Sequence, residues 1–485
     1  MPKPNLNFLK ALSLFLLLTL GWNASGQTNS AKAASEKKQF RAGAATSNIT
    51  PKLGVSIVGN FHDAIAKHIH DELHARCLVL DDGQTRIAIV VCDSCLVPRE
   101  VFDEAKRLIH EQTGLPLDRI LIASTHTHSG AAAASLYQTE VAKEYLPFLT
   151  SRIVDGVRRA INNLAPAKIA WGVGSEPNQV FNRRWKMKPG AVLANPLGGT
   201  DQVKMNPPIA NPNLLEPAGP TDPGISIISI QSPEGRPIAL LANYSLHYVG
   251  GVPEGDISAD YYGAFADRIQ QLIGADHLDP EFVAIMSNGT SGDVNNINFR
   301  TPQKQQPPYG QIRFVANAVA TEVHRVYQTL EYKDWVPLSM QQTEIKLGVR
   351  HPSDEDVIRA RAILAKVHTR DMKSSQEIYA RETMFIKDYP EQVPLIIQTI
   401  RIGDLGIAAI PCEVFAEIGL AIKEKSLFKP TFTIQLANGW SGYLPTPEQH
   451  KLGGYETWRA RSSYLEVDAS TKIFDTVMEL LGKLK

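Results

Sequence analysis

Cysteine is scarce, at four in 485 residues, so disulfides cannot staple this fold and the core must come from buried apolar side chains. An excess of either charge is also missing, since 50 Lys and Arg offset 50 Asp and Glu. That balance removes the clustered positive field that phosphate binding needs, and no nucleic-acid partner is expected. No apolar run reaches the roughly 20 residues needed to cross a bilayer as a helix. No internal repeat is visible, and no low-complexity excess prevents packing. What is present, 43% hydrophobic and 21% charged residues, is the composition of an ordinary globular protein.

The first residues have their own chemistry. Lys3 and Lys10 precede the apolar run Ala11 to Trp22, and small residues follow as far as Gly26. A basic start, a short apolar core and small residues at its end are the parts of a secretory signal. The expected organisation is therefore a signal peptide over 1–26, a polar disordered leader over 27–40 and one large catalytic domain over 41–485, in a secreted or periplasmic protein. Cys92 and Cys95 have C-x-x-C spacing but no second pair, and the strand-like run before them favours core residues over a redox pair.

Short apolar runs alternate with helical patterns, which predicts an α/β fold of mixed β-sheets flanked by helices. Strands are expected at 86–92, 119–123, 168–173, 225–230, 238–243, 282–286, 406–410 and 431–436. Helices are expected at 100–112, 143–164, 259–273, 312–330, 354–368, 414–424 and 471–484. The stretch 186–223 is dense in Pro, Gly and Asn and cannot be one regular element; a substrate-covering loop, an inserted hairpin and a solvated linker all fit it. Segment 374–392 reads as a charged, helical surface elaboration.

At least five of the apolar strands end in polar loops, which argues for a shared rim. The sharpest loop is Thr125-His126-Thr127-His128-Ser129-Gly130. In an extended chain the two imidazoles would point the same way, beyond a strand's carboxyl end, where α/β proteins place ligands. Metal ligation by one or both, or a hydrogen-bonded histidine pair, would explain them. His247 ends another apolar strand, as a ligand or a structural histidine. Glu413 follows Pro411 and Cys412, where an unpaired carboxylate is costly to bury; it is either a third ligand or a charge at a helix start. Two histidines and a carboxylate are an ordinary catalytic zinc set, with a position left for water.

Together with the opening 41–51, HDELHARCLVL at 70–80, NGTSGDV at 288–294 and GYLPTPE at 442–448, these segments resemble the catalytic domain of the neutral ceramidases, zinc amidohydrolases that are secreted or act at membrane surfaces. The resemblance covers most of 41 to about 468. It implies a bound Zn2+ with His126, His247, Glu413 and Tyr443 as ligands, His128 as a proton-transfer histidine, and Arg183 and Tyr455 facing the substrate amide. The substrate it implies is a small amide-bearing or amphiphilic molecule, met in transient contact with a membrane surface.

Two departures stand out. The family's active-site serine is Asn295 here, which excludes a covalent serine route at that position and leaves attack by activated water. Only a helix follows the last motif, where the family continues into an immunoglobulin-like domain, so a relative without that domain is expected. Ceramide, another amide, and an ester or glycosidic bond stay open as targets, as does a non-catalytic binding role.

Overall fold

In the computed structural model, residues 38–485 are described, apart from positions 303 and 370. The expected signal peptide, and the leader up to position 37, lie outside the described residues. Three sheets carry the fold. The first contains β1 (Arg41–Asn48), β2 (His74–Asp81), β3 (Arg86–Cys92) and β4 (Ile120–Ser124). The second contains β5 (Lys168–Ser175), β6 (Gly224–Gln231), β7 (Pro237–Tyr244) and β8 (Val283–Asn288). The third contains β9 (Leu338–Gly348), β10 (Gln392–Ile402), β11 (Leu405–Ile410) and β12 (Thr431–Gln435).

The three share one plan. In each, the four strands lie side by side in chain order; the first two pairings are antiparallel and the third is parallel. A helix connects the third strand to the fourth, as the parallel pairing requires: Arg99–Thr113, Asp260–Leu272 and Ala416–Lys425. A second helix comes after the fourth strand: Tyr145–Asn162, Gly310–Tyr327 and Ala469–Lys483. The chain is thus three βββαβα units in succession, a repeat of topology that its residues do not display.

Alternation along the strands sends one face of every sheet into a common centre. Leu78, Ile89, Ile228, Leu241, Ile400 and Ile407 all belong to that shared cluster. The opposite faces are each covered by the unit's own helices, as where Val79 and Val90 meet Phe102 and Ile153. Sheets buried on both sides explain why the strands read as continuous apolar runs.

This plan also fixes where loops collect. The first, third and fourth strands of each unit run the same way, so their carboxyl ends lie at one edge of the sheet. Long connections leave from the first-strand ends, over 49–73, 176–223 and 349–391. The stretch 186–223 is an inserted set of hairpins: Arg184–Met187 pairs with Val203–Met205 and Leu214–Pro217, and Leu193–Ala194 with Thr200–Asp201. The segment 374–392 is more than a surface elaboration, because its helix Ser375–Lys387 buries Tyr379 and Glu382, the latter paired with Arg461. All four cysteines are buried and unbonded, which makes Cys92 and Cys95 core residues.

Candidate metal centre

Three candidate ligands arrive from three strand ends. His126 lies two residues beyond β4, His247 three beyond β7 and Glu413 three beyond β11. The residue three beyond β3 is Cys95, whose carbonyl oxygen accepts from His126 Nδ1 at 2.8 Å. The chain around His126 is not extended, since φ there is 80°. The two histidines of the THTHSG motif therefore converge through a turn at His126 and not through strand alternation.

The atoms meet closely. His126 Nε2 lies 3.1 Å from His247 Nε2, 3.2 Å from His128 Nε2 and 3.3 Å from Glu413 Oε2. His247 Nδ1 donates to the Ser291 carbonyl at 2.9 Å. Both Nδ1 atoms are thus committed as donors, which fixes the tautomers and leaves a lone pair on each neutral Nε2. Two lone pairs 3.1 Å apart repel unless a proton or a cation lies between them. Glu413 is 3% exposed and its Oε2 accepts no hydrogen bond among the described residues. The donor set, with both imidazoles oriented by carbonyls, fits a divalent cation such as zinc.

Electrostatics agrees with that arrangement. Burial pushes the Glu413 carboxyl up, but His126 and the Trp440 N–H outweigh it and hold the group below the usual range, as a carboxylate. Burial also works against a charge on His126, and Glu413 reverses the balance and raises its pKa well above the ordinary value, so a proton and a cation compete for the same Nε2 lone pair. Burial, reinforced by His126 and Arg183, keeps His128 neutral, and its ring stacks on Tyr248 with centroids 3.7 Å apart.

Around this cluster lie the remaining sequence-derived residues. Tyr443 pairs with Glu413 in a short parallel bridge, and its hydroxyl accepts from Arg183 Nη2 at 3.1 Å. Arg183 Nε donates to Glu456 at 2.8 Å and its Nη2 also to the Gly292 carbonyl, which fixes the guanidinium plane. Tyr455 sits with its ring 5.7 Å from that of Tyr443. Asn295 does not share hydrogen bonds with this group: its amide donates to Asn206 at 2.8 Å and accepts from the Ile297 N–H. The helix after Glu413 starts at Ala416 with Glu417 in its first turn, so Glu417 supplies the charge at the helix start.

Sequence reasoning missed several supports. Trp440 Nε1 donates to Glu413 Oε1 at 3.1 Å, which leaves Oε2 for the cluster. Gln435 accepts from Val414 and donates to the Ser291 hydroxyl, tying two strand ends together. Glu456, fully buried, bridges Arg183 and Arg184. A Gln ending the apolar strand TFTIQ was the available signal for Gln435. Beside His128 opens a cavity of about 480 Å³ lined by Phe61, Asp63, Glu254 and Asp256 among others.

Residues 40–307 match the family model described as neutral/alkaline non-lysosomal ceramidase, N-terminal. A curated relative, neutral ceramidase A of Dictyostelium discoideum, is 26% identical over 189 residues, which is 37% of this chain and 24% of that protein's length. The fold is similar to the crystal structure of neutral ceramidase from Pseudomonas aeruginosa, with a TM-score of 0.70 at 17% identity over 93% of this chain and 75% of that one. A ceramidase structure in complex with C2 has a TM-score of 0.69 at 17% identity, covering 92% and 75% of the two chains.

Proposed function

The chain belongs to the neutral/alkaline non-lysosomal ceramidase family, and from that premise we propose that it is an exported, zinc-dependent hydrolase of N-acyl amide bonds. The observation that carries the reading is the pair of imidazole Nε2 lone pairs facing each other at 3.1 Å beside a buried carboxylate oxygen. His126, His247 and Glu413 would hold the ion, with Tyr443 next to Glu413 as a fourth ligand. Zinc, when bound, polarises a carbonyl and lowers the pKa of water to about 7.

The chain's own groups supply the rest. A neutral His128 accepts the proton given up by the attacking water and returns it to nitrogen as the C–N bond breaks, releasing a carboxylate and an amine. Arg183, held cationic by Tyr443 and Glu456 against the cost of its burial, and Tyr455 stabilise charge on the carbonyl oxygen. Asn295 contributes no nucleophile, so attack is by water. The basic and apolar start at 1–26 supports export.

Ceramide, reached in transient contact with a membrane surface, is the substrate class the family suggests. A second reading is favoured by the cavity at His128: Asp63, Glu254 and Asp256 line it, and an alkyl chain there would desolvate carboxylates. That lining suits an N-acyl compound with a polar, hydroxylated group at this end. The test is metal analysis with turnover on a panel of N-acyl lipids and N-acyl amino acids. One zinc per chain is expected, lost in His126→Ala and kept in an inactive His128→Ala. A metal-free native protein, or equal metal loss in both variants, overturns the reading.

A further inference from the structure

Tyr137 lies in the loop after the THTHSG motif, at the first corner of a two-residue turn closed by Leu136 and Thr139. Its φ is 48°, a conformation that strains a residue with a Cβ and that such turns normally give to Gly or Asn. The turn therefore does not explain the tyrosine; its side chain does. The ring is 3% exposed and packs against Phe61 with centroids 4.6 Å apart. Its hydroxyl meets Tyr455 at 2.9 Å, Ser462 at 2.7 Å and Tyr379 at 3.5 Å.

Each hydroxyl has one proton, which gives this network a direction. Tyr137 donates to Tyr455. Its oxygen can then only accept from Ser462 Oγ, so the order is Ser462 to Tyr137 to Tyr455. With its oxygen occupied by that donor, Tyr455 must aim its own proton elsewhere, and among the described residues no acceptor takes it. Tyr455 lies between Tyr443 and Phe61, and Phe61 lines the cavity beside His128. We propose that Tyr137 is a positioning residue that turns the Tyr455 O–H toward the substrate carbonyl. The inference rests on the amide-hydrolase reading and extends it to a residue that touches neither substrate nor metal. It also gives the strained turn a purpose: a side chain from the first unit is locked onto Tyr455 and Ser462 of the third.

The test is Tyr137→Phe, which keeps the ring and removes the donor. On an N-acyl substrate, kcat should fall about tenfold, the worth of one oriented hydrogen bond, with KM, zinc content and melting temperature close to those of the parent. Tyr455→Phe should lose at least as much, and the double variant no more than Tyr455→Phe alone. Ser462→Ala, which leaves both rings in place, should show a smaller kcat loss of the same kind and serves if Tyr137→Phe folds poorly. In parallel, 3-fluorotyrosine at position 455 should shift its 19F resonance when Tyr137 becomes Phe. An unchanged kcat, additive losses in the double variant, or an unmoved resonance would overturn the inference. If the parent protein binds zinc but cleaves no N-acyl compound, the functional reading fails, and the fluorine signal alone decides the role of Tyr137.

Discussion

Trp440 decides which oxygen of Glu413 is available. Its indole N–H holds Oε1 at 3.1 Å, and the other oxygen faces His126. An outer hydrogen bond of this kind orients a ligand without touching the ion, and its loss typically weakens metal binding 10–100-fold. Trp440→Phe keeps most of the apolar contact and deletes the donor. Its zinc dissociation constant, from chelator competition, should rise roughly tenfold while unfolding free energy changes by less than about 1 kcal/mol. A variant that binds zinc like the parent would show that Glu413 is oriented by its backbone alone. The same logic separates the histidines: the Nδ1 atoms of His126 and His247 are tied to carbonyls, whereas His128 is held by stacking on Tyr248.

The elements bring these residues together through very close backbone approaches. Gly292, in the turn after β8, donates its N–H to the Val414 carbonyl, and a Cβ placed there would lie 2.5 Å from the Glu413 carbonyl oxygen. Neither partner is a flexible side-chain tip, so the backbone of one turn must move. Gly292→Ala should cost about 1–3 kcal/mol in urea unfolding and should weaken zinc binding as well, because the atom it pushes belongs to Glu413, a proposed ligand. A stability loss with unaltered zinc affinity would mean that the Glu413 segment yields without moving its carboxylate. Much at this scale was legible in the sequence. The strands at 86–92, 238–243 and 406–410 are recognisable because burial on both faces makes them uninterrupted apolar runs. β1, reading RAGAATSN, is equally central yet carries no such run, since small residues are needed where Gly43 meets the backbone at Ala160. The candidate site residues were named through the resemblance, whereas Trp440, Gln435 and Tyr137 make contacts distant in sequence that no local pattern records.

At the scale of the whole molecule, three βββαβα units contribute strand ends to one cluster, so the site exists only while all three are folded together. The joints between units then influence stability. Asp293, fully buried, accepts from Asn182 in the second unit and from the Ala416 N–H in the third. Asp260, buried within the second unit, accepts three backbone N–H bonds from Val249, Gly250 and Tyr261 of that same unit. In both, burial outweighs these donors and raises the carboxyl to about 6. An unfolded Asp titrates near 3.9, so between roughly pH 4 and 6 the folded chain binds more protons than the unfolded one. The stability tied to these protons is fully present below that window and is lost as pH rises through about 6. Each group contributes on the order of 3 kcal/mol, from about two pH units at 1.36 kcal/mol each. Unfolding free energies measured in urea at pH 5 and pH 8 should therefore differ less in Asp260→Asn than in the parent, because an amide cannot ionise. Parallel pH curves for the two proteins would show that the three backbone donors compensate the buried charge in full.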